Sequence, residues 1–440
     1  MNKRKTSLLL SFILIILAVS NLGGRVFDSP QARLDPKRID GSGMANVPPV
    51  NEALKTVQKK IEQNPKDAVS YTLLGDLYIR QARETGDVSA YQRAETALDR
   101  SLALLPGYAP AGSLLASVYY SRHEFSRALD LAESVYSSNP KIAQAQITIA
   151  DCELALGEYQ AAEKIYREMA DTNTTPPLLA RLANLEELKG NSDQALALIQ
   201  SAAKQVLASG GTRENTAWYL LRVGDIYYNM GKLDESGAYY EAALRVFDNY
   251  HLALAGLGKV RAAQGKYADA VAYYEHAISI IPQPDFLAAL GDLYMATGQP
   301  EKAQIQYKTV EYIGKLAALN RQIYNRQLAN FYSDHDLHLK EALDLALAEL
   351  DSRQDVYGYD AAAWAYYKNG DFKQAQSMMD HALALGTRDS RLYYHAGMIA
   401  FSLGNRVAAQ RLLSEALAIN PRFSVLLAGE AQRTLESLAK

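Results

Sequence analysis

The chain is short of the residues that most chemistry needs. It holds a single cysteine in 440 residues, which excludes an internal disulfide and any multi-cysteine zinc site. That residue, Cys152, falls on a predicted helix and reads as a buried thiol, the usual setting of a free cysteine. Histidines are as sparse, seven in all, and only His335 and His338 are close in sequence. With a net charge of −3 there is no basic footprint for nucleic acid. There is no phosphate-binding G-x-x-x-x-G-K-[ST] and no G-x-S-x-G. His123-Glu124 continues to Arg127, where a zinc-binding helix would need its second histidine. Gly256-x-Gly258 sits inside a predicted helix instead of following a strand. No catalytic residue, cofactor or metal is therefore nominated. Long apolar runs are also lacking, with one exception near the start.

Present instead is a six-residue pattern that recurs seven times. It reads GEYQAA from Gly157, GNSDQA from Gly190, GKLDES from Gly231, GKYADA from Gly265, GQPEKA from Gly298, GDFKQA from Gly370 and GNRVAA from Gly404. Neighbouring copies lie 33 or 34 residues apart, except across two longer steps. Each glycine is suited to the left-handed turn that ends one helix, and the small residue five places on opens the buried stripe of the next. In the cleanest unit, His251–Pro282, Leu254 and Leu257 mark a first helix. Ala270, Tyr274 and Ala277 form the stripe of a second, which Pro282 ends. Two closely crossing helices need small side chains at the crossing. Pairs in phase supply them: Gly75/Ala94, Ala116/Ala128, Ala150/Ala162, Ala183/Ala195, Gly224/Ser236, Gly258/Ala270, Gly291/Ala303, Ala329/Ala342, Ala363/Ala375 and Gly397/Ala409. The reading is an array of helix–turn–helix units, with each small pair facing across its crossing.

These features resemble the tetratricopeptide repeat family, which has a 34-residue period, a Leu-Gly pair, a following aromatic and a closing proline. Leu74-Gly75 with Tyr78, Leu290-Gly291 with Tyr294, and Pro106, Pro140, Pro282 and Pro421 carry the likeness over about 68–423. Glu153, Glu186 and Arg261 depart from the aromatic, and the unit around Asn320–Ser352 is irregular. The stretch from YNRQLANFYSDHDL to DVYGYDAAAWAYYKNG also looks like a lineage of bacterial members of the family, a likeness that implies no activity; together with the apolar run near the start, the chain resembles an exported bacterial member. The resemblance implies an all-α, right-handed superhelix of about ten repeats, with capping helices at both ends. Asn51–Gln63 is the N-terminal cap. Leu427, Ala431, Leu435 and Leu438 give the C-terminal cap its apolar stripe.

At the start, Lys3, Arg4 and Lys5 precede an apolar run from Leu8 to Val19. Twelve residues suit a signal-peptide core and fall short of the roughly 20 of a spanning helix. Ala18-Val19-Ser20 offers a cleavage site after Ser20, and an uncleaved anchor over 6–22 is the other reading. Either places the array outside the cytoplasm, periplasmic or extracellular, with the membrane touched only through this segment. Residues 21–50, rich in glycine and proline, read as a flexible linker. The array is divided into a first block, 51–313, and a second, 314–440, holding the irregular repeat, two further repeats and the cap.

In the family the first helices line the concave face, and their positions two, five, six, nine and twelve point into it. A middle section gives Arg181, Asn184, Trp218, Arg222, Asp225, Tyr228 and Lys259. A C-terminal section gives Tyr357, Asp360, Trp364, Tyr367, Tyr394, His395, Met398 and Phe401. Exposed aromatics in such a groove anchor a protein or peptide partner. The order of lysines and asparagines that clamps a chaperone's terminal carboxylate in other members is not followed here. The expected function is a non-enzymatic, extracytoplasmic scaffold. The alternatives are a structural subunit of an envelope or polysaccharide-export assembly, and an enzyme or metal site at Asp334, His335, Asp336 and His338, whose side chains suit a divalent ion.

Overall fold

In the computed structural model, residues 34–42, 44, 48–319 and 325–439 are described. The expected signal segment, 1–20, lies outside them. Among the described residues there are twenty-two α-helices, one three-residue 3-10 turn (Pro36–Arg38) and no strand. No helix among them is long and apolar enough to cross a membrane. Ten pairs of antiparallel helices follow one another from Ala68–Thr85 and Ser89–Leu104 to Ser390–Ser402 and Arg406–Ile419. Val50–Gln63 caps one end and Leu427–Leu438 the other. The fold is an all-α repeat superhelix.

The in-phase small residues explain why the pairs close. All ten second-helix positions, from Ala94 to Ala409, are completely buried. Their partners differ from the sequence expectation. A Cβ on Gly224 would lie 2.6 Å from the Tyr240 ring, and one on Gly258 would lie 2.8 Å from the Tyr274 ring. The first-helix glycine makes room for a large side chain one turn beyond the small residue, so small does not face small. Two further copies of the turn have no glycine. His123 (φ 61°) and Asp336 (φ 55°) hold the left-handed position in the second and eighth repeats. Histidine and aspartate tolerate that region better than most side chains, so a scan for glycine passes over them.

The superhelix closes on itself. The turn of the third repeat meets the junction of the eighth and ninth: Gln354 N donates to Ala155 O (3.0 Å) and Val356 N to the Tyr159 hydroxyl (2.9 Å). In the fourth, Thr387 Oγ1 donates to Leu188 O at 2.5 Å. In the sixth, Arg422 Nη1 reaches Ala263 O at 3.4 Å. The turn glycines fit this seam. A Cβ on Gly157 would lie 2.7 Å from Gln354 O, and one on Gly190 or Gly231 would collide with Gly386 O or Ile419 O. Around Gly298 and Gly404 the same atom would meet nothing.

Two expectations of organisation are corrected. The division at 313/314 falls inside the twenty-residue helix Pro300–Leu319, and Pro36–Lys440 is a single compact unit. Part of the 21–50 linker is also not a free tether. Arg245 donates through Nε to Ile39 O (3.0 Å) and through Nη2 to Pro36 O (2.7 Å), Ile39 is buried, and the Thr216 hydroxyl lies 3.2 Å from Met44 Sδ. The guanidinium donates to two carbonyls at the ends of the short 3-10 turn, and so fixes this strap on the fifth repeat.

Candidate functional site

One column of first-helix residues directly follows the small residue of each crossing. From the third repeat on this column reads Asp151, Asn184, Asp225, Lys259, Asp292, Asn330, Trp364 and Met398. Fifteen residues later, four second helices carry Tyr166, Tyr240, Tyr274 and Tyr307. Three of these tyrosines donate across the pair: Tyr166 to Asp151 (2.6 Å), Tyr240 to Asp225 (2.8 Å) and Tyr307 to Asp292 (2.9 Å). Buried hydroxyls demand such partners. In the sixth repeat the acid is replaced by Lys259. Its ammonium lies 3.9 Å from the centre of the Tyr228 ring, and it has no hydrogen bond or ion pair among the described residues. Solvent reaches Lys259, yet protein walls surround it, and that desolvation lowers its pKa.

The other candidate cations of the middle section are neutralised. Arg181 grips both oxygens of Asp151 (2.6 and 2.7 Å). Arg222 joins Glu187 (3.1 Å) and Asp225 (2.9 Å). Trp218 is half-buried with its ring edge-on to Tyr219, and Tyr228 is buried.

The C-terminal aromatic group is a core, not the exposed row expected. Trp364 is 1% exposed, stacks on His395 (4.2 Å, 12°) and on Tyr367 (4.6 Å, 6°), and donates through Nε1 to Asp334 (2.9 Å). Tyr394 and His395 are wholly buried; Tyr394 donates to Glu430 (2.7 Å), and His395 Nδ1 pairs with Asp360 (2.8 Å). Met398 is buried too. Tyr357 and Tyr367 are half-buried, and Phe401 alone of this group is exposed. Short helix-to-helix spacing carries these rings into the contact between repeats nine and ten. Changing Trp364 and Tyr394 together therefore removes core, and would not spare the fold.

The Asp334–His338 cluster also separates. Asp334 joins Arg391 (2.5 Å). His335 lies between Asp292 (2.7 Å) and Phe331 O (2.7 Å). Asp336 joins Lys368 (2.6 Å), while His338 has Glu311 at 3.9 Å. Four side chains serve four directions, so they offer no shared ligand point. Among the described residues no group of acids, histidines and cysteine is placed to hold a metal ion.

Between the repeats lie two adjoining cavities of about 340 and about 420 Å³. They share Tyr228, Lys259, Arg391 and Phe423. Arg326, Asn330, Tyr357 and Asp389 line the first; Tyr274, Asp285 and Phe286 line the second. Asp285 is reached by solvent but walled in, and desolvation raises its pKa. Of the residues lining the two cavities, Asp225, Tyr228, Lys259, Asp334, Tyr357 and Asp360 stood among the sequence candidates. Arg326, Arg391 and Phe423 come from the irregular repeat, the start of a first helix and the turn after the tenth repeat. Only closure of the superhelix brings them across from Lys259. The Asp–Tyr ladder, by contrast, was readable as an aspartate followed fifteen residues later by tyrosine.

Family models described as tetratricopeptide repeat match residues 175–249, 220–283, 261–314 and 361–422. One described as anaphase-promoting complex, cyclosome, subunit 3 matches 87–169. The TPR repeat-containing protein YpiA of Bacillus subtilis is 19% identical over 317 residues, covering 71% of this chain and 64% of its own length. Human protein O-mannosyl-transferase TMTC1 is 22% identical over half of this chain and 24% of its own. The chain thus spans less than two thirds of either relative. Among solved structures, human IFIT1 in a dimer with PPP-AAAA aligns over 76% of this chain and 78% of its own, at 15% identity and a TM-score of 0.49. A tetratricopeptide repeat protein from Parabacteroides merdae aligns over 60% and 99%, at 16% identity and 0.35. With ten phased helix pairs and the tetratricopeptide repeat models matched along them, the chain belongs to the tetratricopeptide repeat family, whose arrays serve protein–protein interaction.

Proposed function

We propose that this chain is a non-enzymatic scaffold, working outside the cytoplasm, that holds a short extended segment of a protein partner inside its superhelix. The observation that supports this most is the paired cavity between the fifth and sixth repeats and the ninth and tenth. Its volume is that of a site for a few residues or a small molecule, not for a folded domain. Tyr357 and Phe423 offer aromatic surface on its walls, where a partner's side chains can be anchored. The basic start and short apolar core of the N-terminus support export.

A photo-crosslinking residue placed at Phe423 should trap the partner, whereas one at Val407, 82% exposed on the tenth repeat, should not. Trapping from 407 and none from 423 would sink the reading. Export has its own measurement. The intact mass of the native protein should correspond to a chain starting at Asn21 or to an anchored full chain, and a full-length product in the soluble cytoplasmic fraction would refute it.

A further inference from the structure

We propose that the smaller cavity is a binding site for a compact oxyanion, gripped by Lys259, Arg326 and Arg391. The three cations come from the sixth, eighth and tenth repeats and line one space of about 340 Å³. Each has donors to spare. Lys259 makes only its contact with the Tyr228 ring. Arg326 Nη1 is buried in an ion pair with Asp355 at 3.6 Å, and its other guanidinium nitrogens make no hydrogen bond among the described residues. Asp355 is already held by Arg353 Nε (2.5 Å) and Gly358 N (2.8 Å). Arg391 uses one nitrogen on Asp334 and leaves the rest of its planar fork. The two acids on the same walls act on Lys259 and Arg391 through space but make no ion pair with them, and both already accept hydrogen bonds. Asp360 accepts from His395, and Asp389 accepts the backbone N–H groups of Arg391 and Leu392 (2.8 and 2.9 Å). Asp285 makes no hydrogen bond or ion pair among the described residues and lines the adjoining cavity; Lys259, Arg326 and Arg391 all act on its charge without contacting it, so their donors stay open to a ligand.

Lysine at this point also breaks a rule of the chain. The fifth and seventh repeats place aspartate there and bond it to a tyrosine of the second helix. An aspartate at 259 would complete the same bond with Tyr274. The lysine leaves the Tyr274 hydroxyl without an acid and sets an ammonium on the same cavity as Arg326 and Arg391, a gathering of like charge that a bound anion offsets. Charge-assisted hydrogen bonds from guanidinium and ammonium groups are the strong kind, and a phosphate or carboxylate group accepts several at once.

This site does not depend on the protein-partner reading, because the free anion is the probe. The purified full chain is titrated calorimetrically with inorganic phosphate and, separately, with glutarate. Binding of either at one site per chain is expected, and the preferred anion tells whether the natural group is phosphate-like or carboxylate-like. Lys259→Gln should weaken it at least tenfold, and Lys164→Gln, at an exposed lysine, should leave it unchanged. Lys259→Asp should abolish binding while the thermal midpoint holds or rises, since it restores the Asp–Tyr bond. No binding of either anion overturns the proposal. Equal weakening by Lys259→Gln and Lys164→Gln, or Lys259→Asp binding as the parent does, also overturns it.

Discussion

Individual side chains in this array are judged best by what surrounds them, and burial reverses several sequence assignments. Trp364 shows the point. Read along its helix it faces a groove, but its ring lies between His395 and Tyr367 with its N–H satisfied. Truncating such a ring removes core on the scale of about 3–5 kcal/mol. His251 carries a sharper consequence. It opens the first helix of the sixth repeat, is 2% exposed, and lies against Tyr250 and Phe286. Burial without a charged partner pushes its pKa down to about 4. Between the ordinary histidine value and about 4 the unfolded chain takes up a proton that the folded chain refuses. Stability from this residue is therefore full above that window, falls as pH drops through it, and is level below. His123, also pushed down to about 4 by burial, acts in the same direction. His335 acts in the opposite one. Burial opposes its charge, but the Asp292 bond prevails and raises its pKa, so its contribution fades as pH rises through the raised value. His251→Phe should lose about 2 kcal/mol of the fall in stability between pH 7 and pH 5. Denaturant unfolding at the two pH values measures it, and an unchanged fall would mean that His251 is not buried neutral.

At the scale of the helix pair, most of the structure was legible and the reason is local. The period, the turn glycines and the phased small residues each concern neighbours within one repeat, where sequence spacing translates directly into contact. What bonds the two helices was less visible. The crossing is locked by a tyrosine hydroxyl on the second helix reaching an aspartate on the first, in the third, fifth and seventh repeats. Tyrosine counted as apolar in the stripe hides its polar end. Tyr240→Phe and Tyr307→Phe should each cost about 0.5–1.5 kcal/mol, since a half-buried carboxylate loses one of its two donors and keeps Arg222 or His335. Tyr274→Phe should cost little, because Lys259 replaced the acid there. Equilibrium unfolding of the three variants would show it, and an equal loss at 274 would mean that its hydroxyl is bonded after all. In the irregular eighth repeat Asp336 does the work of the missing glycine, and His338 two residues on is left-handed as well, so the polar cluster belongs to the turn.

At the scale of the molecule the sequence was silent where the structure is most distinctive. An open array is quasi-one-dimensional, each repeat touching only its neighbours, and it unfolds in loosely coupled pieces. Here contacts with sequence separations near 200 join the third and fourth repeats to the eighth through tenth. No period in a sequence encodes which repeats will meet after a superhelical turn, so the cavity's second wall could not be read either. The seam should make the whole unit cooperative. Gly190 and Gly298 test this as a pair, because both hold φ above 70° and so share the cost of a side chain in the left-handed region. Only Gly190 has a carbonyl of the next turn, Gly386 O, where a Cβ would go. Hydrogen exchange should give the first helices of the fourth and tenth repeats the same opening free energy in the parent chain and in Gly298→Ala. In Gly190→Ala the two should part, with the tenth repeat opening more easily, and overall stability should fall by about 1–3 kcal/mol more than in Gly298→Ala. If the two variants behave alike, the turns do not bear on each other, and the cavity is an open groove whose walls move independently.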